Sequence, residues 1–528
     1  AAYRTVMAAA AVWSAITGLL NGVGETPVMG WSSWNQFRCD IDEAMLREVA
    51  RSLVSSGLRD AGYRYLNVDD CWQTHRTSDG HIQPDAKRFP SGMKALGDYV
   101  HSLGLRLGIY SDAGNVTCEK RPGSYGYERE DAADYAEWGV DYVKYDYCGM
   151  DNVSLPTRHY YERMSEAMNA TGRPMVFSIC SWGLGEPHLW GADVGHSWRT
   201  DTDLFAVWDE PTARSVLRLP KMFGSVMAAV ERQAHLAPYA RRGGFNDLDM
   251  LVVGLSGMSA YGTVDPSDCP PHLPSFYCKP GQAVTRDMWG EVGGLTLTEQ
   301  RAHFSLWCML SSPLMLGNDP RTLSRATLRL LTAPELIAIS QDGLANQAER
   351  IWSDGNRQIW RKDLSDGSRA MLLFNNGDSP VDITMRWERD LMEAALPWRR
   401  AVAREPPCRD VHERKFCIYT ARSGRCDTDR DFMLECMRTC RACQPALWNR
   451  SSQAAALVRD AWEQEDLGIY RAQFTAHLVE PHEARVYVVR FDLRSLEYDT
   501  YKKLAGRGRQ ARTPSTTRRV RERRQGSY

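Results

Sequence analysis

Past residue 20 the chain has no apolar run long enough to span a bilayer. It also has almost no net charge, 65 Lys and Arg against 66 Asp and Glu, so electrostatics give no reason to expect a nucleic-acid partner. No glycine-rich phosphate loop follows the first strand-like segment, which counts against a doubly wound nucleotide-binding sheet. Histidine is scarce where a metal would need it: at the polar strand ends only His196 stands near the carboxylates.

Cysteine and tryptophan are abundant, with 14 and 17 copies among 528 residues. So many cysteines fit an oxidising compartment better than the cytosol. The start agrees: Arg4 precedes VMAAAAVWSAITGLL, an apolar stretch of signal-peptide length, and residues 1–20 are read as a signal. Sequons at Asn115, Asn152, Asn169 and Asn449 fit the same route, so the expected destination is outside the cell or a lysosome- or vacuole-like compartment. The tryptophans fit a large core, and also the flat aromatic platforms of carbohydrate clefts.

From residue 21 a pattern recurs: helix-like segment, glycine, brief hydrophobic strand, polar residues. It appears as SSGLRDAGYRYLNVDDCW, HSLGLRLGIYSDAG, AEWGVDYVKYDYCG and NATGRPMVFSICSWG, with further strand ends at HSWRTDTDL and GGFNDLDMLVVG and a last strand in PLMLGNDP. Alternating helix and strand with polar groups at successive strand ends predicts an α/β fold, a (β/α)₈ TIM barrel over residues 21–345. Thr296 and Glu299 form a capping-box pattern before the last barrel helix. Between the seventh and eighth strands, Cys269 and Cys278 are expected to close a loop by their own disulfide.

Residues 346–497 read instead as short alternating strands, an antiparallel β-sandwich domain. A disulfide-rich insert at 408–443 interrupts it with Cys408, Cys417, Cys426, Cys436, Cys440 and Cys443, for which sequence allows fifteen pairings. A zinc site at the C-x-x-C is disfavoured by the oxidising route, and DTDRD lacks the turn glycine and terminal glutamate of a calcium loop. Residues 498–528 form a basic tail with few apolar residues, expected to be disordered.

Barrel geometry brings Asp69, Asp70, Lys144, Asp146, Arg199, Asp203 and Asp249 to one mouth. Many carboxylates beside few cations suit either an oxygen-ligated metal or a polyhydroxylated ligand, and a sugar suits the set better because its hydroxyls both donate and accept. Cleaving a glycosidic bond needs two carboxyl groups, about 5 Å apart for retention and wider for inversion. Asp146 has the better claim as nucleophile, because Lys144 on the same strand face is expected to hold it ionised. Asp203, four residues after Arg199, is the expected acid/base, with Asp201 its rival.

At these residues the chain resembles glycoside hydrolase family 27, the α-galactosidases and α-N-acetylgalactosaminidases. The likeness runs in order from Asn21 to about Leu493, through TPVMGWSSWNQF, NVDDCW, LGIYSDAGNVTC, WGVDYVKYDYC, SWRTDTDL, FNDLDML, HFSLWCMLSSPLMLGND and IAISQDGLANQ. The resemblance implies a retaining enzyme that needs no metal or cofactor, with Asp146 as nucleophile and Asp203 as acid/base. It implies that Asp69 and Asp70 hold the far hydroxyls of galactose, and that Trp34, Tyr110, Lys144, Arg199 and Asp249 contact the sugar. It also implies the disulfides Cys39–Cys71 and Cys118–Cys148. The expected partner is an α-galactoside, with a homodimer as the option for self-association.

Two departures stand out. The strand ending S-x-C continues with glutamate in galactosidases of the family, but here with Ser181, as in the N-acetylgalactosaminidases, where a small side chain leaves room for the acetamido group. Their neighbouring alanine is not reproduced, since Leu184 stands near that place, and the loop GLGEPHLW resembles plant-type galactosidases. The reading therefore favours α-galactosidase, with α-N-acetylgalactosaminidase as near alternative and a catalytically inactive galactoside-binding protein as the alternative of another class. The second departure is the cysteine insert, whose spacing resembles an ShK-toxin-like domain.

Overall fold

The computed structural model describes residues 21–150, 156–209, 223–255, 294–387, 390 and 455–491. The signal at 1–20, Asn152, Asn449, the Cys269–Cys278 loop, the module at 408–443 and the tail at 498–528 lie outside the described residues. The chain divides into two compact units, residues 1–383 with 476–487, and residues 384–475 with 488–528.

The first unit is built on eight short strands: β1 (Met29–Ser32), β2 (Tyr65–Val68), β3 (Arg106–Asp112), β4 (Tyr142–Asp146), β5 (Val176–Ile179), β6 (Ser197–Arg199), β7 (Phe245–Asp247) and β8 (Leu314–Leu316). They form one sheet in the order β7-β6-β5-β4-β3-β2-β1-β8, and the register of every pair is parallel. A parallel bridge between Leu251 and Leu316 joins the two ends, with the Leu251 N–H donating to Met315 O at 2.7 Å, and the sheet curls into a barrel. The strands are short and buried on both faces, which is why they read as brief hydrophobic runs.

Helices cover the outside. In α1 (Glu43–Ser55) the buried residues Leu46, Val49, Ala50 and Leu53 recur at helical spacing, and Asp42 caps the first turn by accepting from the Met45 N–H at 2.7 Å. The same spacing buries Met93, Leu96, Gly97 and Val100 of α2 (Gly92–Ser102). The layer continues with α3 (Glu128–Glu137), α4 (Thr157–Ala170) and α5 (Val226–Gln233). In α6 (Leu297–Met309) the capping box is formed: Thr296 Oγ1 accepts from the Glu299 N–H, and the Glu299 carboxylate takes the Thr296 N–H at 2.8 Å. Two shorter helices come next, α7 (Arg325–Leu331) and α8 (Pro334–Ser340).

Inside the barrel Tyr65, Tyr142, Val176, Met250 and Met315 pack together, with Val28 beside them. Gly108 on β3 faces this interior, where a Cβ would come within 1.8 Å of Asn67 Oδ1, so no larger residue fits. Four fully buried tryptophans brace the rim. Trp72 donates to Tyr110 O, Trp198 to Asn246 Oδ1, Trp307 to Asp249 O and Trp31 to Asn318 O, at 2.6–2.9 Å. Four of the seventeen tryptophans thus serve as scaffold, each indole N–H satisfied on a barrel strand or just beyond one.

After the barrel the first unit continues with an antiparallel meander of β9 (Glu349–Asp354), β10 (Arg357–Asp363) and β11 (Arg369–Asn375). Its turns contain Gly355 and Gly367, both at positive φ. Further strands towards the C-terminus are β12 (Val381–Arg386), β13 (Ala455–Asp460), β14 (Glu465–Arg471), β15 (Gln473–Val479) and β16 (Ala484–Arg490). Within the second unit β13 and β14 pair as an antiparallel hairpin.

Candidate active site

Parallel register decides which side chains share the mouth of the barrel. Tyr110, Lys144 and Ser178 lie in one row across β3, β4 and β5, and Asp112 is the partner of Asp146 one period further on. Arg199, the last residue of β6, is in register with Asp247, the last of β7. A cleft at this mouth is lined by Lys144, Ser178, Arg199 and Asp247 from these rows, with Tyr142, Cys180, Asp249 and Met250 among others.

Asp69 stands one residue past β2, and its Oδ2 takes both Lys144 Nζ at 3.0 Å and the Ser32 hydroxyl at 3.1 Å. Burial alone would make Lys144 give up its proton, but Asp69 opposes this, and the ammonium ends well above its ordinary pKa. Lys144 also lies 5.2 Å from the centroid of the Tyr110 ring. Asp70 is turned to the backbone: its oxygens accept from the Cys71 and Glu119 N–H groups at 2.6 and 3.0 Å. Burial pushes it up to about 7 while those bonds hold it down.

Asp146 closes β4 with only 5% of its surface exposed. Its Oδ1 accepts from the Tyr147 N–H at 3.0 Å. Burial is the largest influence and pushes its pKa up; Lys144 opposes this, and Asp203 adds to it. Lys144 acts on Asp146 in the expected direction, towards the ionised form, but burial outweighs it. The lysine's ion pair goes to Asp69, and desolvation outweighs what its charge still does for Asp146.

Across the mouth, Arg199 is buried and grips two carboxylates, Asp203 Oδ1 at 3.0 Å and Asp249 Oδ1 at 3.1 Å. The Asp203 side chain is 47% exposed, so it combines a fixed cation on one side with solvent on the other. Asp201 points away: its carboxylate takes Arg232 Nε from α5 at 2.6 Å, so it is engaged outside the cleft. Asp249 is held at φ 82° with its oxygens on the Leu204 and Met250 N–H groups at 2.8 and 2.7 Å. Burial raises it and Arg199 opposes the rise.

Other expected residues are less central. Trp34 is partly buried against the interior cluster, with the Arg38 guanidinium 4.6 Å from its ring centroid. Ser181 is fully buried, and its hydroxyl donates to Leu184 O at 3.0 Å across a tight turn that leaves Leu184 51% exposed. Cys39 is joined to Cys71 and Cys118 to Cys148. Asn115 and Asn169 are exposed.

Three side chains at the site are not among the expected site residues. Cys180 is a free, buried thiol 3.8 Å from Arg199 Nη1, and Asp247 accepts from the Asp249 N–H at 2.8 Å. Asp112 is in register with Asp146 but accepts only from backbone groups. Asp112 and Asp247 follow period two from Tyr110 and Asp249, so the signal was present; their partners are main-chain N–H groups, which composition does not show. Among the described residues, two groups are close enough to hold an ion, Asp112 and Asp146 with Cys118 and Cys148, and Cys39 and Cys71 with Glu119. All four cysteines are in disulfides.

A family model described as alpha galactosidase A matches residues 26–265, and one described as the alpha galactosidase C-terminal beta sandwich domain matches residues 354–419. The chain is 43% identical over 371 residues to alpha-galactosidase A of Cellvibrio japonicus, covering 70% of this chain and 81% of that one. Among solved structures, alpha-galactosidase I of Mortierella vinacea superposes with a TM-score of 0.68 at 31% identity, over 89% of this chain and 98% of that chain. The alpha-galactosidase of Saccharomyces cerevisiae, solved with raffinose, gives a TM-score of 0.66 at 25% identity, over 90% of this chain and 100% of that chain.

Proposed function

The chain belongs to the α-galactosidases of glycoside hydrolase family 27, and on that premise we propose that it hydrolyses terminal α-linked galactosyl residues with retention. The observation that carries this is the pairing of a buried carboxylate at the end of β4, Asp146, with a half-exposed one, Asp203, held by Arg199 after β6. Asp146 is the nucleophile. It attacks the anomeric carbon and forms a glycosyl ester as the bond to the leaving oxygen breaks, and Asp203 delivers the proton that the leaving group needs. Asp203 then takes a proton from water, which attacks the same carbon and frees Asp146. Half exposure suits Asp203 because it must meet both the leaving group and the incoming water.

The remaining residues hold the sugar. Asp69 and Lys144 form an acceptor–donor pair at one side of the cleft, and Arg199 with Asp249 another, so each can exchange a bond with its partner for one to a hydroxyl. Asp70, through its bonds to Cys71 and Glu119, supports the placing of Asp69. A fluorinated α-galactosyl donor that slows the second step should leave its sugar on Asp146, seen by mass spectrometry of the peptide. Asp146→Asn should lower kcat by at least about 10³-fold; unchanged turnover, or a label elsewhere, would remove the assignment.

A second reading, α-N-acetylgalactosaminidase, is favoured by Ser181, whose small side chain lies beneath the Leu184 turn and occupies none of the cleft. Parallel assays on the aryl α-galactoside and the aryl α-N-acetylgalactosaminide separate the two, and activity on the acetamido sugar alone would replace the first reading. The two disulfides and the exposed Asn115 and Asn169 support a secretory route. No helix among the described residues is long and apolar enough to cross a membrane.

A further inference from the structure

Asp112 is fully buried, at the end of the strand beside the one that carries Asp146. Its Oδ1 accepts from the N–H groups of Gly114 at 2.7 Å and Gly149 at 3.1 Å, and its Oδ2 from the N–H of Cys148 at 2.7 Å. One carboxylate therefore joins two backbone segments, the turn after β3 and the turn after Asp146. Ala113 N–H donates to Asp146 O at 2.9 Å and Asn115 N–H to Gly149 O at 3.2 Å, which lock the same two segments from the backbone side.

The fit between them is close. A Cβ on Gly149 would stand 1.9 Å from Val116 O, and one on Gly114 would stand 2.1 Å from Gly149 O. The Cys118–Cys148 disulfide fastens the same turns covalently. One oxygen each of Asp112 and Asp146 and both sulfurs lie within 4.8 Å of one another. Burial and the neighbouring Asp146 push the Asp112 carboxyl up, to about 8, while its three backbone donors hold it down.

We propose that Asp112 is a positioning residue for Asp146: its carboxylate fixes the backbone at 147–149, and with it the direction in which the Asp146 carboxylate points. The only hydrogen bond described for the Asp146 side chain is from the Tyr147 N–H, which sits on that backbone. Freeing Cys148 and Gly149 would let the one donor that orients the attacking oxygen drift. Asp112 is fully buried and its oxygens are taken by backbone N–H groups, so its effect should fall on the chemical step and not on binding.

Asp112→Asn keeps the shape and turns an acceptor into an amide NH₂ that faces N–H donors. The inference rests on Asp146 being the nucleophile. Expected on an aryl α-galactoside is a kcat lower by about 10- to 100-fold with KM within about twofold. Gly149→Ala pushes the same turn off Asp112 without touching its carboxyl group; it should lose kcat similarly. Competent sites are counted by the fluorinated donor, so that kcat is expressed per folded enzyme. Wild-type kcat per competent site in either variant would overturn the proposal. If Asp112→Asn yields no folded protein, Gly149→Ala decides by the same kcat criterion. A wild-type label on another residue would strike the nucleophile assignment instead, whereas a label on Asp146 with unaltered variants removes Asp112 alone.

Discussion

Lys144 and Asp146 share one face of β4, yet their charges are used in different directions. The lysine is neutralised by Asp69 across the barrel, and Asp146 is left with burial as its main influence. Arg199 shows the same logic from the other side, dividing one guanidinium between Asp203 and Asp249. Pairings of this kind depend on inter-strand register, which no run of residues displays. Asp201 illustrates it: by spacing it rivals Asp203, but it faces Arg232 on a helix. The sugar-specificity question stays with Ser181. Ser181→Glu should raise the ratio of kcat/KM for the aryl α-galactoside over the acetamido sugar by about tenfold or more. Ser181→Ala, which removes only the bond to Leu184 O, is the control; an unaltered ratio in the glutamate variant excludes this position from specificity.

The barrel strands were legible because each is a short buried run closed by polar residues, and the helices because their apolar positions recur at helical spacing. The capping box before α6 was legible too, since it needs only Thr296 and Glu299 three positions apart. The long-range contacts of that helix were not. Glu299 Oε1 also meets His482 Nδ1 at 2.7 Å, and α6 carries both His303, which accepts from the Val252 N–H, and Trp307, which donates to Asp249 O. A local cap thus supports one wall of the cleft. Thr296→Val should lower stability by about 1 kcal/mol, read as a shift in the urea midpoint at constant slope, with kcat within about twofold. A loss well below half that value would mean the His482 contact holds Glu299 without the threonine.

For the molecule as a whole, one further buried charge bears on pH. Lys362 on β10 is fully enclosed, and its Nζ donates to Ser311 Oγ at 2.7 Å and to the carbonyls of Ile339 at 2.6 Å and Cys308 at 3.3 Å. These acceptors end α6 and α8, and none carries a formal charge, so burial lowers the lysine from 10.5 to about 7. The folded chain then holds this proton less tightly than the unfolded one. Stability should rise with pH between about 7 and 10.5, and the gain is lost as pH falls through the folded value. Lys362→Met abolishes that slope while orphaning two buried carbonyls, at a cost of about 2–4 kcal/mol. Urea midpoints from pH 6 to 9 should diverge above pH 7 in favour of the wild type; parallel curves would mean that Lys362 stays protonated throughout.

The ring of strands is not uniformly closed. β4, with Asp146, is held along five paired residues on one side and four on the other, whereas the strand leading to Asp249 meets β8 through the Leu251–Leu316 bridge. The barrel therefore has a seam, and the seam lies two residues from Asp249. A fluctuation that parts it would carry away the carboxylate opposite Arg199 while Asp146 stays seated in the middle of the sheet. Grip on the substrate and readiness of the nucleophile are in this way mechanically separable, and loss of the first need not entail loss of the second.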